Sequence, residues 1–309
     1  MEQWQETLLQ QLPEAARTVL NGMEQADRLT EIRFRADGPM QLVFEDTDRI
    51  VYASNARPMM SAKEVQRFAE RLMGNAPYAW EEQNRNGFFN VAGGFRVGIC
   101  GRAVGKHGEI ERITAVTGIS IRIVRERIDA AKPILPYLVE DGELLSTLLL
   151  SPPNCGKTTL LRDLIRIVSD GMYGVHPKKV GVADERFELS GDHNGLRAFS
   201  LGVRTDVLSG VGKACAIERI LTTLSPEVLA TDELTLQEDV RALIRAKGGG
   251  VEVLATAHGT TPDVLFRQER LKGLMEERIF DRIVRLEGRG RIRTVWSGEQ
   301  TVLWEREDV

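Results

Sequence analysis

The sequence predicts an α/β protein of two domains: a smaller α+β domain over residues 1–136, then a mainly parallel α/β domain over residues 137–309. Three observations predict it. A chain of 309 residues suits two cores rather than one. The N-terminal part holds short alternating strands among helical stretches, as in Ile119-Ser120-Ile121-Arg122-Ile123, whose isoleucines share one face. The C-terminal part alternates short apolar runs with longer amphipathic segments, the rhythm of parallel strands joined by right-handed crossovers. Pro133 and Pro136 interrupt regular structure between the two parts.

Residues 1–23 read as a helix with Leu8, Leu9, Leu12, Ala16, Val19 and Leu20 at helical spacing; Pro13 divides it and Gly22 offers a stop. Strands are expected at Glu31–Arg35, Met40–Phe44 and Arg49–Tyr52. Ser61 followed by Glu64 forms a capping-box pattern that opens a helix running to Met73. Gly87–Val91 and Phe95–Ala103 follow as strands around the pair Gly93-Gly94. In the second domain the apolar run Leu144–Leu150 leads to a helix over Lys157–Val168 and a run at Lys179–Ala183. A helix over Ala214–Leu224 leads to Val228–Thr231. A further helix, Leu236–Lys247, stops at Gly248-Gly249-Gly250 and feeds Val251–Ala257. Ile283–Leu286, Arg291–Trp296 and Thr301–Trp304 end the chain as short strands, and Trp80, Trp296 and Trp304 read as packing residues.

Composition narrows the function classes. Lys and Arg number 41 against 45 Asp and Glu, a formal charge of −4, and aromatics are 6%, so no domain-wide basic surface or base-stacking platform is expected and nucleic acid is disfavoured as a partner. Cys100, Cys155 and Cys215 are too few and too far apart for a disulfide framework or a four-cysteine zinc site, and fit a reducing cytosol. Glu2, Glu6 and Glu14 leave no signal-peptide pattern in the first twenty residues, and no apolar run approaches the ~18 residues of a membrane span. A soluble cytosolic protein is the expectation.

The sharpest motif is Ser151-Pro152-Pro153-Asn154-Cys155-Gly156-Lys157-Thr158-Thr159, between an apolar strand and an amphipathic helix. The pattern G-x-x-x-x-G-K-[ST] turns backbone N–H groups inward around phosphate oxygens at a helix N-terminus; Lys157 reaches the β- and γ-phosphates and the Thr158 hydroxyl joins Mg²⁺. Pro153, Asn154, Cys155, Gly156, Lys157, Thr158 and Thr159 are therefore the nucleotide-binding candidates, although Ser151 replaces the first glycine of the pattern. The apolar strand Val228–Thr231 ends in Asp232 and Glu233, which suit a Mg²⁺-holding carboxylate and a base that polarises the attacking water. The run before it ends in Asp184-Glu185-Arg186 and the one after it in Ala255-Thr256-Ala257-His258-Gly259. His258 and Glu185 thus join the catalytic candidates, since an open parallel sheet binds ligands at the C-terminal ends of its strands; Asp184 and Glu185 either shape the metal–water network or merely pair with Arg186.

In that order of motifs the chain resembles the secretion-superfamily ATPases of type II and type IV systems, with an Asp box and a His box, and most closely their stage III sporulation AA branch. Gly87–Val91, Gly94–Arg102, Ile121–Glu126, Val180–Glu188, Gly202–Leu208, Leu224–Val228 and Ala255–Gly259 carry the likeness. The resemblance implies a RecA-like ATPase domain behind an N-terminal domain, ATP and Mg²⁺ as cofactors, a homo-hexameric ring, and peripheral association with membrane channel proteins on the cytosolic face. It also implies arginines outside the phosphate loop that contact phosphates: Arg96, Arg102 and Arg122 in the first domain and Arg204 in the second. Thr235 and Leu236 stand where the family pattern has glycine then arginine; with Ser151 they predict slow turnover. A nucleic-acid-remodelling ATPase and a nucleotide-dependent scaffold with little turnover are the alternatives.

Overall fold

The computed structural model describes residues 3–21, 23, 28–44, 46–53, 55, 57, 59–73, 87–106, 109–192 and 195–306; Gly22 and Trp80 lie outside them. Its contacts divide the chain into two compact units, one of Met1–Arg125 with His193–Ala198, the other of Glu126–Asp192 with Phe199–Val309.

In the first unit Pro13 does divide the leading helix, giving α1 (Gln3–Gln11) and α2 (Glu14–Asn21). The strands are β1 (Leu29–Arg35), β2 (Met40–Phe44), β3 (Asp48–Val51), β4 (Phe88–Val91), β5 (Phe95–Lys106) and β6 (Glu109–Arg122), with α3 (Ala62–Met73) between β3 and β4. They form an antiparallel sheet in the order β3-β2-β1-β6-β5-β4. Its alternating residues Ile32, Phe34, Leu42, Val97, Ile119 and Ile121 are buried in one core with Val65 and Phe68 of α3, where the Phe34 and Phe68 rings meet edge to face at 5.4 Å. β5 and β6 run further than the apolar alternation predicts, because beyond Cys100 they continue as a largely exposed ribbon whose pairing slips at Cys100/Gly101, Arg102/Ala103 and Val104/Gly105. Gly101 is required there: a Cβ would lie 1.8 Å from the Ala115 carbonyl oxygen.

The capping box at Ser61 forms as expected. Its N–H and hydroxyl both donate to Glu64 at 2.7 Å, and the Glu64 N–H returns to the hydroxyl at 3.4 Å. The two bonds from Ser61 hold the Glu64 carboxyl below the usual range. Ser61→Ala is expected to cost about 1 kcal/mol in the denaturant midpoint of this unit. Because the folded-state pKa is depressed, the contribution is full above pH 4.5 and is lost as pH falls through the folded value.

The second unit begins earlier than the two prolines suggested. Pro133 and Pro136 sit at the starts of helical turns, 132–134 and α4 (Leu135–Leu138), positions where a missing N–H costs nothing. Ala131, Ile134 and Leu135 are buried in this unit's core. The hairpin β7 (Val139–Glu140) and β8 (Glu143–Leu144) takes the front of the expected Leu144–Leu150 run, and β9 starts only at Thr147. Then follow β9 (Thr147–Ser151), α5 (Lys157–Asp170), β10 (Val180–Asp184), β11 (Thr205–Ser209), α6 (Lys213–Thr223), β12 (Val228–Thr231), α7 (Gln237–Gly248), β13 (Glu252–His258), α8 (Pro262–Arg267), α9 (Lys272–Glu276), β14 (Arg282–Glu287), β15 (Arg291–Ser297) and β16 (Val302–Glu305).

The sheet order is β11-β10-β12-β13-β9-β14-β15-β16. From β11 to β14 every pair is parallel; β15 and β16 add an antiparallel edge. β9, β10 and β12 are buried at every position, as strands covered on both faces must be. β11 and the short helices α8 and α9 were not expected: β11 is a half-exposed edge strand, and the helices have too few residues to show a period.

Candidate nucleotide site

Strands β10, β12, β13 and β9 are neighbours, so their C-terminal ends lie side by side and His258 is the register partner of Ser151. Residues 152–156 leave β9 as a loop that starts α5. Asn154 and Gly156 take positive φ, +61° and +91°, whereas Ser151 does not. The missing first glycine therefore removes nothing the backbone needs here. Pro152, Pro153 and Asn154 are exposed, and Cys155 is half-buried with its carbonyl accepting the Gly290 N–H at 2.7 Å.

Lys157 is buried at the first helical position, where its ammonium donates at 3.0 Å to the Ser151 carbonyl, the Ser151 hydroxyl and the Pro152 carbonyl. A fourth contact, 3.1 Å, reaches His258 Nδ1. Burial holds its pKa below the usual lysine range, against the opposing pull of Asp232. His258 Nδ1 also lies 3.3 Å from the Ser151 carbonyl, and on the other side of the ring Nε2 is 3.2 Å from Glu233 Oε1. The other Glu233 oxygen accepts from Arg186 at 2.9 Å.

Glu233 itself has φ +50°, an uncommon conformation for a residue with a side chain. Its N–H is fixed by Asp232 Oδ1 at 3.0 Å and by the Thr256 hydroxyl at 2.8 Å. Thr256 also donates to Asp232, and the Thr158 hydroxyl donates to the other Asp232 oxygen at 2.5 Å. The two candidate metal residues, Thr158 and Asp232, are thereby brought into contact from positions far apart in sequence. Thr159, half-buried, follows on α5.

The acidic end of β10 divides in role. Asp184 is buried and accepts from the N–H groups of Leu189 and Ser190 and from the Ser190 hydroxyl, at 3.2, 2.8 and 2.6 Å, which makes it the brace of the turn after β10. Burial raises its pKa, partly offset by the Ser190 bonds. Glu185 pairs at 2.7 Å with Lys213, itself 5% exposed. Arg186 serves Glu233 rather than either of its acidic neighbours in sequence.

The arginine candidates separate. In the first unit Arg96 and Arg122 are direct cross-strand partners, so they share one face of the sheet, with Arg96 stacked 3.8 Å over the Phe88 ring. Arg102 lies on the exposed ribbon beyond the slip at Cys100. Arg204 precedes β11 and donates to the Ser169 carbonyl at 2.9 Å near the end of α5, at the sheet edge opposite its own chain's phosphate loop. Sequence reasoning missed Thr256, Lys213 and the role of Arg186; only Thr256 left a signal, since alternation puts it on the same strand face as His258.

Sheet order and strand direction together define a RecA-like α/β fold behind an antiparallel α+β unit in the sequence. The ATPase DotB of Legionella pneumophila superposes with a TM-score of 0.56 over 84% of this chain and 73% of that one, at 16% identity. The pilus retraction motor PilT with bound ADP gives 0.58 over 83% and 74%, also at 16% identity. Those likenesses are of fold. The family model of sporulation stage III, protein AA matches residues 2–302. Stage III sporulation protein AA of Bacillus subtilis is 35% identical over 297 residues, 94% of this chain and 95% of that protein. The chain belongs to that family.

Proposed function

We propose that this chain binds ATP with Mg²⁺ at the strand ends of its second unit and hydrolyses it, as a secretion-type motor serving a membrane complex in sporulation. The observation that carries the reading is the continuous contact from Lys157 through His258 to Glu233. It links the phosphate-binding cation to the candidate base in one site.

Mg²⁺ fits the residues present: a hydroxyl and a carboxylate in contact are the hard oxygen donors it takes, and Thr158 and Asp232 would hold it. When bound it supplies charge neutralisation at the β- and γ-phosphates. Lys157 exchanges its carbonyl acceptors for phosphate oxygens, and the backbone N–H groups of residues 154–159 cradle the rest. Glu233, aimed by its fixed N–H, takes a proton from the attacking water while His258 and Arg186 keep its carboxylate in place. Lys213 holds Glu185 beside this centre as a positioning group. Arg96, Arg102, Arg122 and, from a neighbouring copy in a homo-hexameric ring, Arg204 are the candidates for cations that compensate transition-state charge.

The near-neutral charge favours protein partners over nucleic acid, and membrane channel proteins are the partners proposed. Among the described residues no helix is long and apolar enough to cross a membrane, which is consistent with peripheral attachment to the cytosolic face of the complex. Size-exclusion chromatography with light scattering, with and without Mg·ATP, alongside phosphate release, tests the motor reading. Nucleotide-promoted assembly with lysine-dependent turnover is expected. A permanent monomer whose phosphate release is the same in Lys157→Ala sinks it.

A further inference from the structure

We infer that Arg162 is a positioning residue that ties the phosphate-loop helix to the points where the chain crosses between its two units. The inference rests on the nucleotide reading above. The crossings follow Arg125, Asp192 and Ala198. Arg162 lies one turn beyond Thr158 on α5, so the two side chains share a helix face. It is 3% exposed. Its Nε donates to the Leu189 carbonyl at 3.0 Å and its Nη2 to the Glu188 carbonyl at 2.8 Å, just before the second crossing. Its guanidinium lies 3.8 Å over the ring of Phe199, the first residue after the third.

The second-unit ends of the three crossings are themselves joined. The Phe199 N–H donates to the Ser190 carbonyl at 3.2 Å, and the Ser200 N–H donates to Glu126, beside the first crossing, at 2.7 Å. Leu189 is gripped from both sides, its carbonyl by Arg162 and its N–H by Asp184. One guanidinium nitrogen, Nη1, is buried without a hydrogen-bond partner among the described residues.

Electrostatics supply the coupling. Burial pushes the Arg162 pKa down to about 10, and Asp232 is the carboxylate that does most to hold the charge, followed by Glu126. A cation beside Asp232 screens that attraction. With that pull relaxed, Arg162 rests on the Glu188 and Leu189 carbonyls and the Phe199 ring, so occupancy of the phosphate loop tightens its seat at the crossings.

Hydrogen exchange on the full chain, with and without Mg·ADP, reads this directly at the amides of residues 195–203. In the wild type Mg·ADP is expected to slow exchange there. Phe199→Leu is expected to bind Mg·ADP within about twofold of wild type while the nucleotide-dependent slowing shrinks by at least about threefold. Arg162→Lys, which keeps a charge but not the two-carbonyl fork, should do the same and covers the case in which the Phe199 variant does not fold. Full slowing in both variants, or none in a wild type that binds Mg·ADP, overturns the inference alone. A wild type that does not bind Mg·ADP overturns the nucleotide reading as well.

Discussion

Glu233→Gln is expected to lower phosphate release by about 10²–10⁴-fold while Mg·ATP still binds. The amide keeps the volume and can still accept from Arg186, but it cannot take a proton from water. The backbone that aims the residue is independent of the substitution, because its positive φ is secured by Asp232 and Thr256 acting on the N–H. A kcat effect with little change in KM is therefore the signature to look for in steady-state phosphate release. A kcat reduced less than about tenfold would show that another group activates the water.

The largest stability effect is expected at Asp163, away from the strand ends. Its carboxylate is buried and receives Arg166 at 2.7 Å together with the N–H groups of Asp129 and Ala131 at 3.2 and 2.8 Å. Asp163→Ala strands a guanidinium that is 7% exposed and two backbone donors that stitch residues 126–136 onto α5. Arg166 keeps one carboxylate, Asp129, at 2.9 Å, but that partner is half-exposed. A loss of about 3–5 kcal/mol in the denaturant midpoint of the second unit follows. Asp163→Leu combined with Arg166→Met should recover much of it, since the buried charge leaves with its partner.

What the sequence made legible was local. Gly156-Lys157-Thr158, Asp232-Glu233 and His258 announce themselves because each sits at the end of an apolar run, and a parallel sheet collects such ends along one edge. The antiparallel first unit was readable from alternation in Ile119–Ile123 and the capping box at Ser61. What alternation does not encode is which side chains meet across the chain. Arg186 reaches Glu233 over 47 positions, and Lys213 reaches Glu185 over 28. Thr205–Ser209 carries too weak a pattern to read as a strand from sequence; once it is one, strand direction alone puts Arg204 at the edge away from the phosphate loop. Ser151 looked like a defect in the motif, yet the positive φ values fall on Asn154 and Gly156 instead.

The central claim is that Lys157 and the loop around it form a nucleotide-phosphate site. Calorimetric titration of Mg·ATP into wild type and Lys157→Ala tests it most directly. The account predicts saturable binding by the wild type and affinity at least about a hundredfold weaker in the variant, a loss of roughly 2.7 kcal/mol or more. Equal affinity in the two proteins, or no binding by the wild type, contradicts it.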